Sequence, residues 1–296
     1  MISDAVDVDR PDRTGDSISD PVTRLPGSLS LVLPAHNEEA NVRYVVADAL
    51  QTLPRFTNTF EIVVVNDGSR DKTGAIIEEL AAGNQHVIPV HHQQNQGYGG
   101  ALRSGFAVTT GDHVMFMDAD RQFDIDDLAL LSPFVARYDV VAGIRRERND
   151  PLIRRLNAEV FNVVVRILFG VHLRDIDCAF KIFRGDLLRS LTLNAPGALI
   201  NTEMQAKLRR KGATVQQVAV HHYPRVAGTA TGGNWRVIVR AMGETLILFA
   251  DLHQGETGAD EQHRSATGIA RDVATAFGTF AARALGHLVR RLGVKR

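Results

Sequence analysis

Short apolar runs alternate with helical patterns along this chain, and each run stops at a cluster of polar residues. Leu29-Ser30-Leu31-Val32-Leu33 reads as a strand closed by Pro34, with a helical pattern from about Glu38 to Leu50. Phe60-Glu61-Ile62-Val63-Val64-Val65 reads as a second strand that stops at Asn66-Asp67-Gly68-Ser69, before a helix near Asp71 to Ala82. A short strand around Val87 to Val90 comes next, and a helix opens after Gly97-Tyr98-Gly99-Gly100. The run Val114 to Met117 completes the alternation. Strands and helices in turn indicate an α/β domain with a mainly parallel sheet. In such sheets ligands bind beyond the carboxyl ends of the strands. The exits at His36-Asn37-Glu38, Asn66-Asp67-Gly68 and Asp118-Ala119-Asp120 are therefore expected to meet in one crevice.

The last exit carries the chemistry. Asp118 and Asp120 follow the fourth apolar run one residue apart, and strand alternation would put both carboxylates on one side. Such a pair suits Mg²⁺ or Mn²⁺, which is held by one or two carboxylates and leaves its other positions to water and substrate phosphates. A diphosphate-bearing substrate is implied. An isolated Asp-x-Asp is also an ordinary polar turn, so its neighbours have to decide.

Composition limits the alternatives. At 296 residues, 44% hydrophobic and 23% charged, the chain has material for one large core with appendages. A formal net charge of zero gives no general argument for nucleic acid, which is not expected as a partner. A lone cysteine, Cys178, excludes an intrachain disulfide framework and a Cys-rich zinc site, and a reducing cytoplasm is the simplest compartment. No apolar stretch approaches the roughly 20 residues that cross a bilayer, and Met1-Ile2-Ser3-Asp4 lacks a secretory pattern.

Several motifs occur in order: Leu33-Pro34-Ala35-His36-Asn37-Glu38-Glu39, Val64-Val65-Asn66-Asp67-Gly68-Ser69-Arg70-Asp71-Lys72-Thr73, Asn95-Gln96-Gly97, Asp118-Ala119-Asp120-Arg121-Gln122 and Asp175-Ile176-Asp177-Cys178-Ala179-Phe180-Lys181. In this order and spacing the chain, from about Leu29 to Leu252, resembles the inverting family-2 glycosyltransferases of GT-A fold. Within them it is most similar to the polyprenyl-phosphate sugar synthases, the dolichyl-phosphate mannose synthase group. The resemblance implies a mixed, mainly parallel Rossmann-like sheet flanked by helices. It also implies an inverting, metal-dependent transfer of a hexose from a GDP- or UDP-sugar to a polyprenyl phosphate, at the cytoplasmic face of the membrane.

Site residues follow position by position. Pro34, His36 and Glu38 match the first nucleotide-contacting loop, and Val65 and Asp67 match residues that hold base and ribose. Asp118, Ala119, Asp120 and Gln122 match the segment gripping metal and diphosphate, with Asp118, Asp120 and Gln122 as expected ligands of Mg²⁺ or Mn²⁺. Arg145 matches a basic residue near the transferred sugar, Arg154 one that meets the acceptor phosphate, and Arg225 the start of a mobile acceptor loop. Related synthases often continue that loop to a Ser-Lys pair; here it reads Gly228-Thr229-Ala230-Thr231. His221 and His222 are candidate replacement donors.

The acceptor can be argued from chemistry alone. Breaking a sugar–diphosphate bond builds negative charge that a cation and arginines neutralise. An attacking hydroxyl also needs a base, whereas a lipid phosphate is already ionised and needs only alignment. Glu203 falls where relatives with hydroxyl acceptors keep a catalytic acid, so it is either a base or a structural anchor. A hydroxyl acceptor with Glu203 as base, and a non-catalytic nucleotide-sugar-binding scaffold, are the competing readings. The Gln-x-x-Arg-Trp signature of processive synthases is absent around Trp235.

Plainer roles fit other features. Gly97-Tyr98-Gly99-Gly100 reads as a tight turn allowing close backbone approach, since it matches neither phosphate-binding fingerprint. The pairs His91-His92 and His221-His222 lack i,i+4 zinc spacing. Cys178 reads as a small buried hydrophobe.

Residues 1–27 are expected to form a disordered tail and 28–233 the catalytic domain. Residues 234–252 read as an amphipathic helix, 253–265 as a linker and 266–296 as a basic amphipathic helix. Such helices suit peripheral membrane contact, core packing or a homo-oligomer.

Overall fold

A computed structural model describes residues 22–146, 165–166, 168–224, 245 and 248–249. The chain forms a seven-stranded sheet in the order β3-β2-β1-β4-β6-β5-β7. The strands are β1 (Leu29–Ala35), β2 (Phe60–Asp67), β3 (Val87–His92), β4 (His113–Phe116), β5 (Val140–Arg145), β6 (Lys181–Arg184) and β7 (Val215–Val220). Helices α1 (Val42–Thr52), α2 (Thr73–Gly83), α3 (Gly97–Val108), α4 (Leu128–Val135), α5 (Gly185–Arg189) and α6 (Ile200–Arg210) connect them. Only β6 runs against its neighbours; the other described pairings are parallel. This is the mainly parallel, helix-flanked sheet that the alternation predicts.

Leu29, Leu31, Val32, Leu33 and Ile62 to Val65 are all fully buried, because helices cover both faces of a parallel sheet. Gly105 lets α3 settle on that sheet, since a Cβ there would lie 2.4 Å from Val32 Cγ1. Pro34 does not end β1 but sits inside it, opposite Val65. The reason lies in the neighbouring strand. Val32 accepts from Met117 N–H, so alternation turns the donor that Pro34 lacks toward the same side, where β4 has already stopped at Phe116.

Helix starts differ from the periodicity by a few residues. α1 begins at Val42 because Glu38 makes a turn of its own, accepting from Asn41 Nδ2 at 2.6 Å. The glycine run is no free turn: Gly97 to Gly100 form the first turn of α3. The expected close approach is there, with Gly99 N–H donating to Pro196 O at 2.9 Å. At the other boundary, Leu25 is already buried and donates to Phe56 O, so ordered packing begins before Leu29. The segments 234–252 and 266–296 fall almost entirely outside the described residues. Among the described residues no helix is long and apolar enough to cross a membrane.

Candidate active site at the carboxyl ends of the strands

The exits of β1, β2 and β3 interlock. His36 Nδ1 lies 2.8 Å from the Asp67 carbonyl oxygen, so that nitrogen carries the proton, and Nε2, 3.1 Å from Asn37 Nδ2, accepts. Asn37 N–H donates to Ser69 Oγ and Asn37 Oδ1 accepts from Arg70 N–H. Glu39 and Asp71 cross-link the same two loops through Lys72 N–H and Glu39 N–H. Gly68, at φ +63, is required here: a Cβ would lie 2.4 Å from Asn95 N.

Asp67 is buried at the centre of this knot. Its Oδ1 accepts from Gln96 N–H at 2.8 Å and from His92 Nδ1 at 2.7 Å. His92 is fixed in turn by Ser104 on α3, whose Oγ lies 2.8 Å from Nε2. Among the described contacts none falls on Asp67 Oδ2. Val65 is fully buried and Ala119 nearly so, so neither is open to a ligand in this conformation.

Asp118 and Asp120 do not leave a strand side by side, because β4 ends at Phe116 and an irregular loop follows, with Arg121 at φ +63. The side chain that senses both is a tyrosine. Tyr98, on the first turn of α3, is hydrogen-bonded to Asp118 and feels the charges of Asp177 and Asp120. Its phenol is pushed well above its ordinary value, first by burial and then by these carboxylates. Asp120 Oδ1 accepts from Gln122 N–H at 3.1 Å. Gln122 Nε2 donates to Tyr223 O at 3.1 Å and Gln122 O accepts from Tyr223 N–H at 2.8 Å, clasping this loop to the chain that leads toward Arg225. Among the described residues no group of three His, Cys, Asp or Glu is arranged to hold a metal ion. A Mg²⁺ or Mn²⁺ ion at Asp118, Asp120 and Gln122 would therefore need a substrate's phosphates to complete its shell.

Arg145 is forked onto Asp175, with Nε and Nη2 each 2.7 Å from a carboxylate oxygen. Burial opposes its charge, yet the Asp175 hydrogen bonds and charge, with Cys178 and Asp177 beyond, hold the guanidinium above its ordinary value. The Asp175–Cys178 turn is anchored from below by Lys181. That side chain is fully buried, donates to the carbonyls of Ile176 and Cys178, and lies 5.3 Å from the Phe116 ring centre. Burial pushes the Cys178 thiol up to about 12, against the pull of Lys181, so this residue is the inert apolar group expected.

Glu203 lies behind the site and is almost completely buried. Its carboxylate accepts from Asn194 N–H and Ala195 N–H at 2.8 to 3.0 Å and pairs with Lys207 Nζ at 2.7 Å. This is an anchor for the 194–196 loop. His221 binds Asp127 through its main-chain N–H and Nδ1, and His222 packs edge-on against Phe123 with ring centres 5.0 Å apart. Arg154 and Arg225 lie outside the described residues. Tyr98, His92 and Asp177 are the residues that sequence reasoning left without a role; Asp177 stood inside a quoted motif, and Tyr98 was hidden in the glycine run.

Comparison with known proteins agrees with this architecture. The chain is 30% identical over 166 residues to an undecaprenyl-phosphate 4-deoxy-4-formamido-L-arabinose transferase of Pectobacterium carotovorum, covering 55% of this chain and 51% of that protein. It is 30% identical over 207 residues to the glycosyltransferase AglD of Haloferax volcanii, covering 67% of this chain and 33% of the relative. The chain thus spans about half, or less, of the length of these relatives. Glucosyl-3-phosphoglycerate synthase from Mycobacterium tuberculosis, solved with phosphoglyceric acid, superposes with a TM-score of 0.60 at 22% identity, covering 76% of this chain and 80% of that one. The same synthase with Mn²⁺, uridine diphosphate and glucosyl-3-phosphoglycerate gives 0.59. At that identity the likeness establishes a shared GT-A fold. The family model described as Glycosyl transferase family 2 matches residues 30–191, and the chain belongs to that family.

Proposed function

We propose that this glycosyltransferase is an inverting, divalent-metal-dependent enzyme that moves a hexose from a nucleoside diphosphate sugar to a polyprenyl phosphate, working peripherally on the cytoplasmic face of a membrane. The observation that supports the donor side is that β1 lies between β2 and β4, all parallel, so the exits bearing His36, Asp67 and the Asp118–Asp120 loop leave the same end of the sheet. Asp118 and Asp120 would hold Mg²⁺ or Mn²⁺, which supplies charge neutralisation for the departing nucleoside diphosphate. Asp67 enters with Oδ1 already taken by Gln96 and His92, leaving Oδ2 to accept from the base. One free oxygen matches the single N3–H of uracil better than the adjacent N1–H and N2–H of guanine, which call for both carboxylate oxygens. The donor in this reading is a UDP-sugar.

On the acceptor side, the support is Glu203. A buried carboxylate whose oxygens already accept from main-chain N–H groups and Lys207 Nζ is not open to an attacking hydroxyl, and a phosphate acceptor needs no such base. The relatives named as undecaprenyl-phosphate transferases point the same way. Arg145, held rigid by Asp175, would face the transferred sugar and phosphates; Arg154 and Arg225 would meet the acceptor.

The test is a radiolabelled transfer assay with UDP- and GDP-sugars, a polyprenyl phosphate and Mg²⁺ or Mn²⁺. The expected result is metal-dependent label in the lipid phase from a UDP-sugar. Label carried only by a hydroxylated acceptor would restore Glu203 as a base, and nucleotide binding without any turnover would leave a scaffold.

A further inference from the structure

Tyr98 is placed too firmly to be a filler. The residues on either side of it are clamped against the 194–196 loop: a Cβ on Gly97 would lie 2.6 Å from Pro196 O, and one on Gly99 would lie 2.0 Å from Ala195 O. Gly99 N–H donates to Pro196 O, and Arg103, one turn further along α3, donates to Ala195 O at 2.6 Å. That loop is itself held from α6 by Glu203, through the main-chain N–H groups of Asn194 and Ala195. Glu203, the loop and the first turn of α3 therefore form an arch, and at its end the Tyr98 hydroxyl meets the Asp118 carboxylate.

We propose that Tyr98 is a positioning residue: its hydroxyl fixes the Asp118 carboxylate in the orientation that receives the divalent cation with the donor diphosphate, and the arch from Glu203 holds it there. The inference rests on the metal-dependent donor reading given above. Physically it is an outer-shell effect. A carboxylate that binds a metal is oriented by the hydrogen bond on its other oxygen, and loss of that partner weakens metal binding by about 10- to 100-fold.

Tyr98→Phe removes the hydroxyl and keeps the ring. Mn²⁺ binding, followed by electron paramagnetic resonance with saturating UDP, should weaken by about 10- to 100-fold in this variant, while the thermal midpoint stays within a few degrees of the parent. Transfer should recover at high Mn²⁺, so the metal concentration for half-maximal rate rises more than the maximal rate falls. Gly99→Ala, which forces α3 away from Ala195 O with the hydroxyl intact, should weaken Mn²⁺ in the same direction. Unchanged Mn²⁺ affinity in Tyr98→Phe would overturn the proposal and leave Tyr98 as packing. If the parent protein binds no Mn²⁺ with either UDP or GDP, the donor reading itself fails and this inference goes with it.

Discussion

The two ends of the sheet use the same residue type to opposite purposes. At the amino ends of the strands, Asp112 accepts from Ser28 N–H and Oγ, each at 2.8 Å, and Asp139 accepts from Thr214 N–H and Oγ while pairing with Arg184. Hydrogen bonds from Ser28 hold Asp112 below the ordinary carboxylate value. For Asp139, burial works the other way but is outweighed by Thr214 and then Arg184. At the carboxyl ends, Asp118 is hydrogen-bonded to Tyr98, whose phenol also feels the charges of Asp177 and Asp120. Acids at the first edge close the fold, and in the proposed reading acids at the second await a ligand. Carboxylates satisfied by fixed donors mark structure; carboxylates whose charges bear on one buried phenol are the candidates for a site.

The largest test of that contrast is Asp120→Ala. Transfer should fall by on the order of 10²- to 10³-fold, the usual cost of losing one group that stabilises developing charge, with the thermal midpoint close to the parent's. A variant that keeps its rate would remove Asp120 from the donor site. Glu203→Gln sits between the two regimes. It should lower stability by about 3 kcal/mol by leaving Lys207 without its buried partner, while the folded fraction keeps its maximal rate within a few-fold. Collapse of the maximal rate in well-folded protein would show proton transfer at Glu203 after all.

Asp139→Asn is the smallest and the mirror image of Asp120→Ala: about 1–2 kcal/mol of stability lost, with transfer per folded molecule intact. It also has a pH signature. Asp139 has a folded-state value below its unfolded one, so its contribution is present above the unfolded value and drains away as pH falls through the folded one. Acid unfolding curves of the parent should therefore fall more steeply below about pH 4 than those of Asp139→Asn. Parallel curves would mean that the opposite edge is not held by this carboxylate.

The first half of the fold was legible because its strands are locally connected, each apolar run feeding a helix and returning parallel. The exits carrying His36, Asp67 and Asp118 could be read for the same reason. What escaped was set by distant pairing. Lys181–Arg184 is a four-residue strand inserted backwards between β4 and β5, and its first residue is a buried lysine. No period-two or period-three pattern marks such a segment. Tyr98 was obscured because glycines normally signal a turn, whereas here they let a helix press on another loop's carbonyls. Asp118 and Asp120 were read as leaving a strand by alternation, whereas β4 stops at Phe116 and both lie in the loop that follows.

The backward strand has a bearing on how the molecule is assembled. β3, β2, β1 and β4 pair among themselves and are complete once the chain has emerged as far as Phe116. Among the described residues β5 pairs with β6 and β7 alone, so there the strand carrying Arg145 has no partner until residues 181–184 arrive. A nascent chain can thus settle its donor-side sheet first, and must then keep the edge of β4 vacant for a strand encoded some sixty-five residues later. Asp118 and Asp120 lie along that seam. Misassembly is most costly there, because another strand taking the place of β6 would leave a folded half-domain with its carboxylates in place and nothing opposite them.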